Sequence, residues 1–327
     1  MAVGTGVDST MAVLSSTLNA FVQKFIDPTI YDQILKHNPV LYRFHRKGKV
    51  IDGGAALTWP ALKATKTKGG WYTGAQQLAH GVEDTIEPAE VNWKHVAEDV
   101  TIPRSDLLKA RTPYSKVDLL KTKFDEAIMN LRSRISAALY AAPSEGNGLD
   151  NLFQAIDDGT DTANYAGIAH SNSWWKPGIA GDGRINKANA NMTALTEIET
   201  LYGRCSDGDE QPTLIITTQS GYDFMWGQLQ ALQRFTRDEE MVKAGFDAIK
   251  FNRAVVVIDR NTVAKSLLML NERWLDLVAH EEENFAVDPV LPGTPSERSI
   301  NTKVVWSGNL RVKIIRFHGK YLNVDNF

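Results

Sequence analysis

The sequence predicts an α+β protein, and three observations carry that prediction. One long amphipathic helix falls at 115–140. Strand-like segments lie on both sides of it, and the two kinds of element alternate only in part. Hydrophobic residues make up 43% and charged residues 23% of the 327, a globular balance that excludes wholesale disorder.

Residues 1–20 are small and polar, with Gly4, Thr5, Gly6, Ser9, Thr10 and Ser15–Thr17, and predict an arm with little core of its own. Leu18, Phe21, Val22, Phe25 and Ile26, then Ile30, Ile34 and Leu35, predict short helices interrupted near Pro28. Lys36, Arg43, Arg46, Lys47 and Lys49 follow with no acid between them. A local polyanion contact competes with a solvated or subunit-facing edge, and we favour the edge.

Residues 49–103 are the unusual block. Val50, Ile51, Leu57, Trp59 and Leu62 read as extended, since Thr58–Trp59–Pro60 resists a helix. Val91, Trp93, His95 and Ala97 alternate with polar residues as a second strand, ended by Pro103. Between them Lys63, Lys66, Lys68, Gly69, Gly70, Gly74 and Gly81 offer little to bury. The block predicts a long two-stranded arm. A lone two-stranded ribbon is marginal in water, so it needs a surface to lie on, and another subunit is the obvious one.

In the helix, Val117, Leu120, Phe124, Ile128, Leu131, Ile135 and Leu139 recur at steps of three and four. Ser115 is placed to cap it, and Pro143 and Gly146 to stop it. At ~1.5 Å per residue it spans roughly 39 Å, a strut for the subunit. Residues 144–211 are rich in Gly, Asp, Asn and Ser, with short helices expected at Leu149–Ile156 and Thr193–Tyr202. Leu214–Ile216 predicts a buried strand, followed by a helix with Tyr222, Met225, Trp226, Leu229 and Leu232 on one face. Strands are expected at Ala254–Ile258 and Leu267–Leu270. A hairpin is expected where Ser307–Gly308–Asn309 separates Val304–Trp306 from Leu310–Ile314.

Chemistry-bearing motifs are scarce. Lys plus Arg is 36 against 39 Asp plus Glu, a net charge of −3 that disfavours a global polyanion binder. Cys205 is the single cysteine, so neither an internal disulfide nor a cysteine-built metal site can form. The first 20 residues hold no Lys or Arg, and no apolar run is long enough to span a bilayer. A soluble protein of a reducing cytoplasm is expected. There is no G-x-S-x-G elbow, no phosphate loop and no H-E-x-x-H. His280 beside Glu281–Glu283 reads as a solvated acidic turn before a metal site. Asp157–Asp158–Gly159–Thr160–Asp161 lacks the ligand spacing of a calcium loop and reads as a polar turn. Asp238–Glu239–Glu240 reads as a first helical turn, and Trp174–Trp175 as a core anchor before a base- or sugar-stacking pair. No enzyme is expected, and no cofactor.

Several phrases, in order, resemble the major capsid proteins of tailed bacteriophages with the Hong Kong 97-type fold. They are Leu149–Asp150–Asn151–Leu152–Phe153; Ser173–Trp174–Trp175 before Pro177; and Pro212–Thr213–Leu214–Ile215–Ile216–Thr217–Thr218 leading to Tyr222–Asp223. Gly245–Phe246 before Phe251–Asn252, Val255–Asp259 and Gly308–Asn309–Leu310 complete the set. The resemblance implies an N-terminal arm at 1–47 and an extended loop at 48–102. It implies a peripheral domain from 103–145 and 262–300 that holds the long spine helix, and a mixed α/β axial domain from 146–261 and 301–327. It implies a shell subunit that builds pentamers and hexamers around double-stranded DNA held by weak non-specific contact. The implied partners are other copies of itself, a scaffolding protein, a portal and a decoration protein, with no membrane, the scaffold being either a separate protein or a segment removed from the chain, and the implied location is the virion, assembled in the host bacterial cytoplasm. Lys63, Lys66, Lys68, Trp71 and Tyr72 are the expected intersubunit contacts of the loop. Some capsids of this fold join the loop to a neighbour through a Lys–Asn isopeptide; no matching Asn and Glu can be identified here, so non-covalent contact is expected. An encapsulin-like compartment shell is the alternative, and a cytosolic hydrolase the third reading.

Overall fold

A computed structural model describes residues 38–64, 68, 70–75, 80–109, 113–140, 148–231, 249–289, 291–292, 299–325 and 327. The expected arm up to residue 37, Lys66, and the segment 232–248 with Leu232, Asp238–Glu240 and Gly245–Phe246 lie outside the described residues. In chain order the elements are α1 (Pro39–Lys47), β1 (Lys49–Ile51), β2 (Leu57–Leu62), β3 (Ile86–Val91), β4 (Lys94–Pro103), α2 (Arg104–Lys109) and α3 (Pro113–Ala138). Then come α4 (Leu152–Ala155), β5 (Asn164–Tyr165), β6 (Ile168–Ala169), β7 (Arg184–Asn186), α5 (Leu195–Arg204), β8 (Leu214–Thr217) and α6 (Gln219–Ala231). The chain closes with β9 (Ile249–Phe251), β10 (Ala254–Ile258), β11 (Leu267–Leu270), β12 (Leu275–Val287), β13 (Leu291–Pro292), β14 (Ser299–Val312) and β15 (Gly319–Leu322).

The spine helix α3 starts at Pro113, two residues before the expected cap, because proline's fixed φ suits a first helical position. Leu120, Phe124, Ile128, Leu131, Ile135 and Leu139 are buried as their spacing predicts. Asp125, Glu126, Asn130 and Arg134 stay on the outer side. The helix packs against β4 and β14.

Two sheets organise the rest. In the first, β14 pairs with β4 on one side and β12 on the other, with β1 and β13 flanking. The second is mixed, in the order β7-β15-β11-β8-β10-β9. Its central strands β8 and β11 are buried at every position because both faces are covered, and all but Thr217 of these residues are apolar. Leu214, Ile216, Val255, Val257, Leu268 and Leu270 join the core that includes α3 and the first sheet. Ile215, Val256, Leu267 and Met269 point the other way, to a second core roofed by Ile198, Leu201 and Tyr202 of α5 and Tyr222, Met225 and Leu229 of α6. The period of two in a strand sorts these side chains between the two cores.

The expected C-terminal hairpin does not form. Strand β14 runs unbroken through Ser307–Gly308–Asn309, with Ser299 opposite Pro103 and Gly308 opposite Lys94. The turn-forming residues serve close packing instead. A Cβ on Gly308 would lie 2.3 Å from the Val278 carbonyl oxygen and 2.6 Å from the Trp306 ring. Asn309 is fully buried; its Nδ2 donates to Asp150 Oδ2 at 2.7 Å and to the Asn92 carbonyl at 2.8 Å. The sheets also divide the chain differently from the expected boundaries. Strand β11 lies in the six-stranded sheet with β8, although the boundary at 261/262 puts it with the spine helix. Strand β14 crosses 300/301 without interruption.

Candidate intersubunit surface

The block at 49–103 folds as a ribbon. Strands β2 and β3 pair from Leu57 opposite Val91 to Leu62 opposite Ile86. Leu57, Trp59, Ala61, Ala89 and Val91 are buried at its base, and the alternate residues Thr58, Pro60 and Leu62 face out. The base is tied by Trp93 Nε1 donating to the Gly54 carbonyl at 2.8 Å and by the Glu90 N–H donating to the Ala166 carbonyl at 3.0 Å. The Lys63 N–H donates to the Thr85 carbonyl at 2.9 Å and adds a rung beyond β2. That rung fixes the alternation, so Pro60 and Pro88, which face each other, form a non-hydrogen-bonded pair. Their missing N–H groups fall on the outer edges, which cannot recruit a further strand there.

The ribbon carries exposed apolar side chains. Leu62 is 64% exposed, Trp71 104%, Tyr72 62%, Val82 99% and Ile86 55%. These large apolar groups lie bare beyond or at the end of the paired base. Of the expected contacts, Lys63 is already engaged: its Nζ sits 2.7 Å from Asp84 Oδ2, and that hydrogen bond raises its pKa. Lys68 is exposed and lies against Gly81. Trp71 and Tyr72 are free of core contact. Lys66 lies outside the described residues. The five are spread along the ribbon and do not converge on one point.

The other candidate groups take structural places. Trp175 is buried, and its Nε1 donates to the Tyr165 carbonyl at 3.2 Å, which makes the Trp pair a core anchor. At 280–283 the β12–β14 ladder breaks register between Ala279 and Asn284, so these residues form a bulge within a strand and not a free turn. There Ser307 hydrogen-bonds Glu283, and His95 Nδ1 lies 2.5 Å from Ser307 Oγ. Among the described residues no His, Cys, Asp and Glu groups gather as a metal site.

The acidic turn at 157–161 does more than its sequence suggests. Asp157 is fully buried and meets Lys320 Nζ, itself 1% exposed, at 2.8 Å. Arg184 Nε lies 3.2 Å from the same oxygen. Burial raises the Asp157 carboxyl, but Lys320 and the backbone N–H groups of Thr162 and Asp161 outweigh it and hold the group below its usual range. Burial also lowers Lys320, and Asp157 offsets this only in part. The partner sits 163 residues away, so no local pattern points to it. The basic run at 43–49 is split: Arg46 and Lys49 stay exposed, while two of its members reach a buried acid. Arg43 Nε and Lys47 Nζ reach the Glu272 carboxylate at 2.8 and 2.9 Å.

No family model matches the chain, and no curated protein does. Solved structures do. The cyanophage A-1(L) capsid asymmetric unit matches with a TM-score of 0.67 and 16% identity, over 88% of this chain and 93% of that one. The capsid of a native GTA particle matches with a TM-score of 0.57 and 10% identity, over 85% and 88%. The holo-SrpI encapsulin complex from Synechococcus elongatus PCC 7942 matches with a TM-score of 0.54 and 11% identity, over 85% and 84%. At such identities the likeness is one of backbone architecture, and it extends over nearly the full length of each partner. Mixed α/β over most of its length, this chain has the Hong Kong 97-type fold.

Proposed function

We propose that the chain is a major capsid subunit of a tailed bacteriophage, assembling with copies of itself into pentamers and hexamers that close into an icosahedral shell around double-stranded DNA. The observation that carries this reading is the ribbon at 57–91, whose exposed Leu62, Trp71, Tyr72, Val82 and Ile86 have no cover within the chain. The full-length likeness to a cyanophage capsid subunit supports the same reading. Lys63, Lys66, Lys68, Trp71 and Tyr72 are its intersubunit contacts. The first sheet with α3 forms the peripheral part and the six-stranded sheet with α5 and α6 the axial part, with β11 moved to the latter. Scaffolding, portal and decoration proteins are its partners in the infected cell, and it resides in the virion. Many modest contacts, each repeated around a ring, reinforce one another through effective concentration.

The likeness to an encapsulin makes a cargo-enclosing shell the second reading. Negative-stain electron microscopy with light scattering of the purified protein tests the shell reading. Ring-shaped capsomers or closed shells are the expected result. A uniform monomer at every concentration, with crowding agents present, overturns it. Particles taken from the source that contain nuclease-protected DNA favour the capsid; particles holding a folded enzyme favour the compartment.

A further inference from the structure

The two legs of the ribbon meet at its root. The chain enters through Gly53 and Gly54, whose φ of +74° and +121° side chains other than hydrogen rarely allow, and it leaves through Asn92 and Trp93. The Trp93–Gly54 hydrogen bond ties one leg to the other. His280 sits at this junction. It pairs with Ile51 across the β1–β12 ladder, a Cβ on Gly53 would lie 3.6 Å from its Nε2, and its ring stands 5.3 Å from the Trp93 ring at 68°. Its Nδ1 accepts the Glu282 N–H at 3.2 Å. It also opens the bulge of β12, where Phe285 is held at φ +58°, a conformation rare for an aromatic residue.

We propose that His280 is a proton-controlled wedge at the root of the ribbon: neutral, it packs the two legs together; protonated, it withdraws and lets them hinge at Gly53–Gly54. The device belongs to one chain and does not depend on what that chain assembles into. Histidine is the side chain whose charge ordinarily changes between about pH 5 and 8. Only a ring with a bare Nδ1 accepts the Glu282 N–H, so a second proton turns that contact into two opposed donors. The surrounding charges decide where the cation goes. They are Lys49 and Asp52 on and after β1, Glu281, Glu282 and Glu283 on its own strand, and Lys94 and His95 next to Trp93. The acids outnumber the lysines, and three of them lie in the bulge, away from Trp93. The Trp93 ring attracts a cation only weakly at an accessible site, so the carboxylates win. Glu283 already responds to both histidines. The Ser307 hydroxyl holds its carboxyl below the usual range against burial, and His95 and His280 add to that pull. Once the imidazole leaves, the Trp93–Gly54 bond is the remaining tie at this point of the root, and the glycines have the backbone freedom a hinge needs.

Hydrogen exchange read by mass spectrometry tests this on the full chain at about pH 7.5 and about pH 5.5, with protection corrected for the chemical exchange rate at each pH. In the unaltered protein, protection of the segments 52–57 and 91–95 is expected to fall about tenfold in acid. His280→Gln keeps an acceptor for the Glu282 N–H and has no proton site, and His280→Phe keeps a ring against Trp93. Both variants are expected to hold their protection within about twofold between the two conditions. Buried His318 is present in all three proteins, so any loosening it causes in acid is common to them. A fall in either variant equal to that of the unaltered protein overturns the proposal, and so does a flat profile in the unaltered protein. His95→Gln, on the exposed side of β4, is expected to keep the fall. A fall that disappears in His95→Gln moves the proton site to His95 and overturns the assignment to His280.

Discussion

His318 is wholly buried, and its Nδ1 accepts the Asn271 backbone N–H at 3.1 Å, a bond only the neutral ring can take. Burial lowers its pKa to about 3, against an opposing contribution from the Ile314 backbone. The direction of the pH effect follows. Between the ordinary 6.5 and about 3, the unfolded chain binds a proton that the folded chain refuses. Stability is therefore complete above 6.5 and falls as pH drops through that window. About 2 kcal/mol is expected to be lost between pH 7 and pH 5 from this group alone. His318→Asn keeps an acceptor near the Asn271 N–H and removes the proton site. The variant is expected to show a flatter dependence of the urea midpoint on pH. A slope equal to that of the unaltered protein sinks this account.

Helix α1 offers the matching test for an element. Asn38 caps it, its Oδ1 accepting the backbone N–H groups of Val40 and Leu41 at 3.0 Å each. Its outer end is pinned by Arg43 and Lys47 on Glu272, whose Oε2 also accepts the Thr213 hydroxyl at 3.0 Å. Burial alone would raise the Glu272 carboxyl, yet Arg43 and Lys47 hold it down at about 2. This stabilisation is present above the ordinary 4.5 and is lost as pH falls from there toward 2. Its full size is about 3 kcal/mol. Glu272→Gln is expected to lose most of it and to free α1, so trypsin should cut faster after Arg43, Arg46 and Lys47. An unaltered cleavage rate would show that the pair does not hold the helix. The same residues show what sequence can and cannot disclose. The spine helix was legible because its core positions lie three and four apart on one element, and the ribbon because Pro, Gly and alternating apolar residues act locally. The partners of Arg43 and Lys320 lie 229 and 163 residues away, and pairing at that range leaves no local period. The Ser307–Gly308–Asn309 turn signal misled for a related reason. Small and amide side chains fit a tight turn, and they fit a crowded strand crossing equally well. The ribbon's exposed face was legible as a stretch with little to bury.

At the scale of the whole molecule, the ribbon must be separable from folding if its role is to join subunits. Its buried residues, Leu57, Trp59, Ala61, Ala89 and Val91, all lie in or beside the paired base. Trp71, Tyr72 and Val82 beyond it are solvent-facing and contribute little to the fold of one chain. Removing 66–82 leaves Ala64, Thr65, Glu83 and Asp84 between the last rung at Lys63 and Thr85, a four-residue hairpin loop of a common length. The Lys63–Asp84 pair lies beside that join and can persist. The shortened chain is therefore expected to keep its far-UV circular dichroism and a stability within about 0.5 kcal/mol of the original, as surface changes usually do. Its assembly is expected to fail, because each subunit loses the apolar groups it lends to a neighbour while keeping the surface that should receive them. A shortened chain that still closes into shells of unchanged salt and thermal resistance would mean that the sheets and helices alone hold the particle, and that Trp71 and its neighbours are exposed for some other purpose.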